Sequence, residues 1–142
     1  MVKLRKAEKS EIEWVNDRYR EVGFVASNFE TETLVIAEYG GEKAGLGRLV
    51  KISPEHYELG GMYVLERFRG MGIAAEIVPY LLEAAPSKAH VWCLPYAHLH
   101  AFYEKFGFKA PPPGIGVPVE VSEKLKMCNL TSKTLLYYLR KP

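Results

Sequence analysis

The fold is decided by the stretch Glu58-Leu59-Gly60-Gly61-Met62-Tyr63-Val64-Leu65-Glu66-Arg67-Phe68-Arg69-Gly70-Met71-Gly72-Ile73-Ala74-Ala75. It predicts an apolar strand that ends at Val64, a glycine-containing turn, and a helix that begins near Gly72. The N-terminus of such a helix carries unpaired backbone N–H groups and the positive end of the helix dipole. Glycines allow a ligand to approach the backbone closely. The stretch therefore predicts a phosphate-binding turn, with the rest of the ligand lying along Met62 to Val64.

Composition narrows the class of protein. The chain has 142 residues, of which 48% are hydrophobic and 25% charged, so we expect one globular domain over residues 1–142. The net charge is +2, and no clustered basic face argues for nucleic-acid binding. No apolar run approaches the roughly 18 residues of a membrane span. Two cysteines without a CxxC pair or a secretion signal fit a reducing compartment, and we expect a cytoplasmic protein.

The residues before the deciding stretch alternate between strand and helix patterns. Apolar residues at helical spacing predict a helix from Glu11 to Val22, with Ser10 as N-cap and Glu13 completing a capping box. Residues 24–33 have no clear period and suit a loop or a short second helix. Because their links are short, the strands that follow are expected to be antiparallel. The predicted strands are Val2–Lys6, Leu34–Glu38, Ala44–Ile52 and His56–Val64, with a hairpin turn at Gly40-Gly41.

The residues after the deciding stretch complete a predicted β–α–β unit and continue into a C-terminal region with a less regular pattern. A helix over Gly72–Ala85, bent at Pro79, leads to a strand over Ala89–Leu94 that should be parallel to the strand before the helix. A short helix over Ala97–Phe106 is predicted to bury Leu99, Phe102 and Phe106. The remaining predicted elements are a strand that begins at Phe108 and is interrupted by prolines, a helix from Ser122 to Asn129, and a final strand over Thr134–Arg140.

Two short motifs resemble one known family. Arg69-Gly70-Met71-Gly72-Ile73-Ala74 fits R/Q-x-x-G-x-G/A, which resembles the acetyl-coenzyme A signature of the GNAT family of N-acetyltransferases. Phe102-Tyr103-Glu104-Lys105-Phe106-Gly107-Phe108 resembles that family's F-Y-x-x-x-G-F segment. The order of elements also matches. The resemblance implies an α/β (α+β) fold with a mixed, largely antiparallel, twisted sheet of about six or seven strands flanked by helices, and a splayed parallel pair at the cofactor site.

The resemblance also implies the substrates and the residues that hold them. Acetyl-coenzyme A would be the donor, no metal would be needed, and the acceptor would be a small-molecule or peptide amine. Homodimers are common in the family, and the resemblance allows one here. The pantetheine arm would pair with the strand edge at Met62, Tyr63 and Val64. The pyrophosphate would lie on the backbone of Arg69, Gly70, Met71, Gly72, Ile73, Ala74 and Ala75.

Two side chains are candidates for the proton transfers that acetyl transfer to an amine requires. Tyr103 matches the family tyrosine near the sulfur of coenzyme A, and it is the candidate acid; the alternative is a packing role. Glu58 is the candidate base, because its spacing to Arg69 resembles that of a glutamate used as base in one branch of the family. The alternatives are a solvent-facing Glu58, and a bulge at Gly60-Gly61 that turns it to the other face. His56 is a lesser candidate.

Other chemistry-bearing residues have simpler interpretations. Cys93 lies in an apolar strand and is expected to pack in the core. His98 and His100 are two residues apart on a predicted helix, which points them apart and argues against a metal site. Tyr96 stands where many relatives have an asparagine. Two other functions stay open: a catalytically inactive coenzyme A-binding sensor on the same fold, and a generic nucleotide-binding domain, against which the absence of a Gly-Lys-Ser/Thr loop argues.

Overall fold

The computed structural model describes all 142 residues, and its centre is a six-stranded sheet with the strand order β1-β2-β3-β4-β5-β6. The pairs β1–β2, β2–β3 and β5–β6 are antiparallel, and β4–β5 is parallel. This confirms the predicted mixed, mostly antiparallel sheet, and its six strands are the lower of the two predicted strand numbers. The strands are β1 (Val2–Lys6), β2 (Glu32–Tyr39), β3 (Glu42–Ser53), β4 (His56–Val64), β5 (His90–Cys93) and β6 (Tyr137–Arg140).

Four α-helices flank the sheet: α1 (Ile12–Glu21), α2 (Ile73–Ala84), α3 (His100–Glu104) and α4 (Val119–Asn129). Short 3₁₀ turns lie at Lys9–Glu11, Glu66–Phe68 and Ala97–Leu99. The predicted helix after the glycine turn is confirmed, and Pro79 lies inside it. The chain divides into two compact units, Met1–Val50 with Gly61–Ala84, and Lys51–Gly60 with Ala85–Pro142.

The first unit contains β1, β2, most of β3, the end of β4, and helices α1 and α2. Val15 and Tyr19 of α1 are fully buried, and they pack with Leu34, Ile36 and Leu46. Gly47 lies under α2, where an added Cβ would be 2.7 Å from Cγ2 of Ile77. The absence of a side chain at this position therefore lets α2 lie close to β3.

The second unit contains the beginning of β4 together with β5, β6, α3 and α4. Trp92, Val121 and Tyr138 form a buried cluster on one face of these strands. The β4–β5 ladder joins His56 to His90 at one end and Leu59 to Cys93 at the other. Because β5 ends at Cys93 and β4 continues to Val64, the ladder stops where the resemblance places the splay.

Several predicted boundaries were wrong at helix termini. The capping box forms on Glu8 and Glu11, and not on Ser10 and Glu13, because Arg5 holds Glu11 in a two-pronged ion pair at 2.7 and 2.8 Å. The helix α4 begins at Val119 and not at Ser122, since the carbonyl of Pro118 accepts from the N–H groups of Val121 and Ser122. Burial of Val121 against Trp92 requires this extra turn.

The region around α3 also differs from the prediction. A 3₁₀ turn and the five-residue α3 replace the predicted helix over Ala97–Phe106. Leu99, expected in the buried stripe, is 38% exposed, whereas Tyr103 is only 6% exposed. Phe108 is buried, but it begins no strand; its neighbour Lys109 makes an isolated bridge to Tyr138. The last strand is β6, which begins at Tyr137 and not at Thr134.

Candidate active site

The glycine turn before α2 is open on the side from which a ligand would approach. Gly70 and Gly72 have φ angles of +82° and +78°, and a Cβ built at either position would meet no atom within 4 Å. Gly72 directly precedes α2 and has no side chain with which to cap its first N–H groups. The turn from Arg69 to Gly72 is exposed. Unpaired N–H groups at an uncapped, accessible helix N-terminus are suited to bind phosphate oxygens.

Arg69 connects this turn to the end of β4. Its Nε donates a hydrogen bond to the backbone carbonyl of Val64 at 2.9 Å, and its guanidinium lies 5.9 Å from the ring centroid of Tyr63. The guanidinium nitrogens Nη1 and Nη2 make no hydrogen bond to the protein, so they stay available to an anion. The structure therefore joins the two predicted cofactor-binding segments, residues 62–64 and 69–75, through one side chain.

A glycine kink lies in β4 between the candidate base and the predicted pantetheine edge. Gly61 has a φ of +61°, and its carbonyl accepts a hydrogen bond from Tyr19 Oη at 2.8 Å. Arg48 lies over the Tyr19 ring at 4.4 Å and donates to Ser27 Oγ and to the carbonyl of Val25. Sequence reasoning found the glycine pair but missed Tyr19 and Arg48, because a contact across 42 residues leaves no local pattern.

Glu58 is buried and forms an ion pair with a residue that the sequence analysis did not single out. Its Oε2 accepts a hydrogen bond from Nζ of Lys124, on α4, at 2.6 Å. The side chain of Glu58 is 10% exposed and that of Lys124 is 37% exposed. The alternative of a solvent-facing Glu58 is therefore wrong. Its other oxygen, Oε1, makes no hydrogen bond within the protein, which leaves one acceptor for a ligand.

Tyr103 lies on α3 and packs edge-on against Phe102 and Phe108, with ring centroids 5.0 and 6.2 Å away. Burial raises the pKa of its phenol above the ordinary value, with the nearby Cys93 thiol adding to the shift. The hydroxyl makes no hydrogen bond to another protein group. A phenol that stays protonated at neutral pH and has no internal partner is available as a hydrogen-bond donor.

The candidate acid and base lie on opposite faces of the β4–β5 pair. Glu58 is paired with Trp92, and both lie on the face that α4 covers. The face that α3 covers carries Tyr137, whose hydroxyl donates to Glu104 of that helix. No hydrogen bond connects Glu58 to Tyr103. This arrangement suits two groups that act on different partners of a reaction, and not a pair that shares one proton.

His56 is poorly placed to be the base. Its Nδ1 accepts a hydrogen bond from Nε1 of Trp92 at 3.0 Å, so the proton of the neutral ring lies on Nε2. Its ring also stacks on His90 with centroids 4.6 Å apart. Burial lowers the pKa of His90, and the neighbouring His56 contributes to the shift. Because Nδ1 is occupied by the Trp92 indole and Nε2 carries the proton, neither ring nitrogen of His56 is free to accept a proton in this arrangement.

The remaining candidate residues make contacts that favour structural roles. Cys93 is buried as expected, and burial raises the pKa of its thiol above the ordinary value, which removes it as a nucleophile. His98 stacks on Tyr96, and His100 pairs with Glu104. Tyr96 and His98 line a cavity of about 420 Å³ together with Ala97, Ser132 and Lys133.

The structure has neither a metal-binding cluster nor a helix that could cross a membrane. No group of three or more His, Cys, Asp or Glu side chains is arranged to hold a metal ion. None of the helices has the length and apolar character that a membrane crossing requires.

Comparison with known proteins gives a family match and a set of similar folds. The family model described as acetyltransferase (GNAT) family matches residues 3–108. No curated protein matches the chain by sequence. A structure of Rv2747 from Mycobacterium tuberculosis in complex with CoA and NLQ has a TM-score of 0.75 at 18% identity, with 99% of each chain covered.

Two other solved structures illustrate the range of similar folds. N-acetylglutamate synthase from Neisseria gonorrhoeae, complexed with coenzyme A and N-acetyl-glutamate, has a TM-score of 0.71 at 12% identity; the match covers all of this chain and 35% of that one. A GNAT-family acetyltransferase from Staphylococcus aureus Mu50 has a TM-score of 0.66 at 13% identity, with both chains fully covered. At these identities the likeness shows the fold.

Proposed function

Because the chain belongs to the GNAT acetyltransferase family, we propose that it transfers an acetyl group from acetyl-coenzyme A to a primary amine by direct attack. The observation that carries the proposal is the open glycine turn at the uncapped N-terminus of α2, where Gly70 and Gly72 leave the backbone accessible. Coenzyme A in the solved structures of similar fold supports this choice of donor. Arg69, bonded to Val64, would orient the turn relative to the pantetheine edge.

Donor binding would use backbone groups more than side chains. The first-turn N–H groups of α2, from Gly72 to Ala75, would bind pyrophosphate oxygens. The edge of β4 from Met62 to Val64 extends past the end of the β4–β5 ladder. An extended pantetheine arm would pair with this edge through main-chain hydrogen bonds.

The two candidate catalytic side chains would act on different atoms. Glu58, through its free Oε1, would accept a proton from the acceptor ammonium, directly or through water, and so expose the nitrogen lone pair. The nitrogen would then form a bond to the acetyl carbonyl carbon as the carbon–sulfur bond breaks, and the sulfur leaves with the electron pair. The second proton that the nitrogen loses would pass to solvent, from which the Tyr103 phenol is restored after it has protonated the sulfur. Tyr103 would donate its phenolic proton or a hydrogen bond to that sulfur. The products are an N-acetyl amide and coenzyme A.

The test is release of free thiol from acetyl-coenzyme A in the presence of a panel of primary amines, amino acids and peptides. The proposal predicts turnover above hydrolysis with at least one acceptor, and mass spectrometry should find the acetyl group on nitrogen. The inactive-sensor alternative predicts tight acetyl-coenzyme A binding without turnover on any acceptor. Preferential thermal protection by ATP or NAD would instead favour the nucleotide-binding alternative.

The role of Tyr103 can be separated from packing by removing only its hydroxyl. Tyr103→Phe is expected to lower kcat by about 10-fold or more while leaving acetyl-coenzyme A affinity within about 3-fold. Tyr39→Phe is the matched control, since it also removes a hydroxyl from a tyrosine whose ring packs on a phenylalanine. Tyr39 and its partner Phe68 both lie in the first unit, whereas Tyr103 lies in the second. An unchanged kcat in Tyr103→Phe would return Tyr103 to a packing role.

Three broader features stay part of the proposal. We propose a cytoplasmic location, a single folded domain, and activity without nucleic acid or metal. Cell fractionation tests the first, and a single cooperative unfolding transition tests the second. Retention of activity after treatment with a chelator and a nuclease tests the third. Size-exclusion chromatography with light scattering will show whether the chain forms a homodimer.

A further inference from the structure

The Lys124–Glu58 ion pair has free hydrogen-bonding capacity on both partners. The bond between Nζ and Oε2, at 2.6 Å, uses one of the three N–H donors of Lys124 and one of the two oxygens of Glu58. Glu58 is 10% exposed, but the Lys124 side chain is 37% exposed. The pair therefore presents a free carboxylate oxygen and free ammonium donors side by side, and one partner reaches solvent.

Lys124 forms its ion pair with a residue on another element, although a carboxylate is available on its own helix. Glu120 lies four residues earlier on α4, at the spacing at which surface ion pairs form along a helix. Lys124 pairs instead with Glu58 on β4, 66 residues away in sequence. The buried Val121 and Trp92 lie beside the pair in the second unit. Apolar neighbours lower the local dielectric constant and strengthen the interaction of these charges with any ligand that reaches them.

We propose that this ion pair is the recognition site for the acceptor, and that the acceptor is an amino acid or another small molecule with a carboxylate next to its amine. This inference rests on the proposed function. A simple alkylammonium ion would be attracted by Glu58 and repelled by the adjacent Lys124, so its net electrostatic gain is small. A zwitterion satisfies both: its ammonium meets Glu58 Oε1, and its carboxylate meets the free N–H donors of Lys124.

The ion pair then has two consecutive roles. In the free enzyme Lys124 compensates the buried Glu58 charge, which would otherwise be costly to leave unpaired. When the zwitterion binds, its ammonium takes over part of that compensation, and Lys124 turns toward the ligand carboxylate. Glu58 is thereby left facing the ammonium whose proton it accepts in the proposed reaction.

The first experiment compares acceptors that differ only in the carboxylate. Each α-amino acid is assayed by thiol release beside its amide and its decarboxylated amine, for example leucine, leucinamide and isopentylamine. For the side chain that the enzyme accepts, kcat/KM is expected to be at least about 10-fold higher for the amino acid than for either analogue. Equal or higher values for the decarboxylated amine would overturn the inference.

The second experiment removes the charge of Lys124. Lys124→Met is expected to lower the ratio of kcat/KM for the amino acid to kcat/KM for the decarboxylated amine by about 10-fold or more, and Lys124→Arg should restore most of that preference. Lys126→Met on the same helix is the control, because Lys126 is exposed and makes no ion pair. If Lys124→Met lowers activity equally on both acceptors, the ion pair only attaches α4 to β4, and the inference is wrong.

Failure of the inference and failure of the proposed function give different results. Turnover that is independent of the carboxylate refutes the zwitterion site and leaves an N-acetyltransferase. Acetyl-coenzyme A binding without turnover on any acceptor refutes both.

Discussion

Substituting Gly61 by alanine should destabilise the protein far more than the same change at Gly60. Gly61 has a φ of +61°, and a Cβ added there would lie 2.5 Å from Tyr19 Oη and 2.9 Å from two Arg48 side-chain atoms. The left-handed backbone costs about 1 kcal/mol for a residue with a Cβ. Overpacking against Tyr19 and Arg48 adds about 2 kcal/mol. We therefore expect Gly61→Ala to lose about 3 kcal/mol.

The measurement is urea unfolding at fixed pH, supported by thermal melting. A loss of about 3 kcal/mol in a chain of this size lowers Tm by about 10 °C. Gly60→Ala is the control, because it has no positive φ and its Cβ would lie 3.5 Å from Glu58 Oε2, an ordinary contact. Its expected change is below about 1 kcal/mol. Equal losses in the two variants would refute the reasoning.

A double-mutant cycle identifies the atom responsible. Tyr19→Phe removes the hydroxyl that donates to the Gly61 carbonyl, and we expect it to cost about 1 kcal/mol by itself. In the Gly61→Ala background the same change also removes the 2.5 Å clash. The double variant should therefore be less destabilised than the sum of the two single variants, by about 1 kcal/mol. Strict additivity would show that the clash lies elsewhere.

Two further perturbations test other parts of the structure. Gly72→Glu should abolish acetyl-coenzyme A binding in calorimetry, because a carboxylate would face the pyrophosphate. Gly72→Ala is the control, since it carries the same φ strain without the charge and should keep more of the affinity. Equal affinities for wild type and Gly72→Glu would contradict the proposed pyrophosphate-binding turn. Hydrogen bonding to Arg5 lowers the pKa of Glu11 from 4.5 to about 2, so its stabilising contribution is complete above pH 4.5 and is lost as the pH falls toward 2. Glu11→Gln should thus be less stable than wild type at pH 7, and the gap should close near pH 2 in urea titrations; a gap independent of pH would show that charge is not the cause.

Local sequence patterns predicted most elements of the fold for a physical reason. The hairpin at Gly40-Gly41 and the helix after Gly72 depend on backbone preferences of a few adjacent residues. The region 97–108 was predicted less well. Leu99 and Tyr103 lie four residues apart on adjoining helical turns, and only packing against Phe102 and Phe108 decides that Tyr103 is the buried one.

The candidate site likewise contains residues that a local motif marks and residues that only the fold brings to it. The glycine turn and Tyr103 are visible in the sequence because each belongs to a short motif. Lys124 is not visible in the sequence, because the residue that it neutralises lies 66 positions earlier, and nothing on α4 distinguishes it from Lys126, the other lysine of that helix. Likewise the left-handed Gly61 could be suspected from the Gly60-Gly61 pair, but Tyr19 and Arg48, which hold it, could not.

The sequence by itself predicted where a phosphate would bind, because an uncapped helix start after glycines follows from local backbone chemistry. It also determined which glutamate and tyrosine are candidates for proton transfer. Only the tertiary structure decided the surroundings of that glutamate: a buried carboxylate with one oxygen on Lys124 and the other free. Charge compensation depends on distance in space, and the fold, not the local sequence, brings α4 to β4.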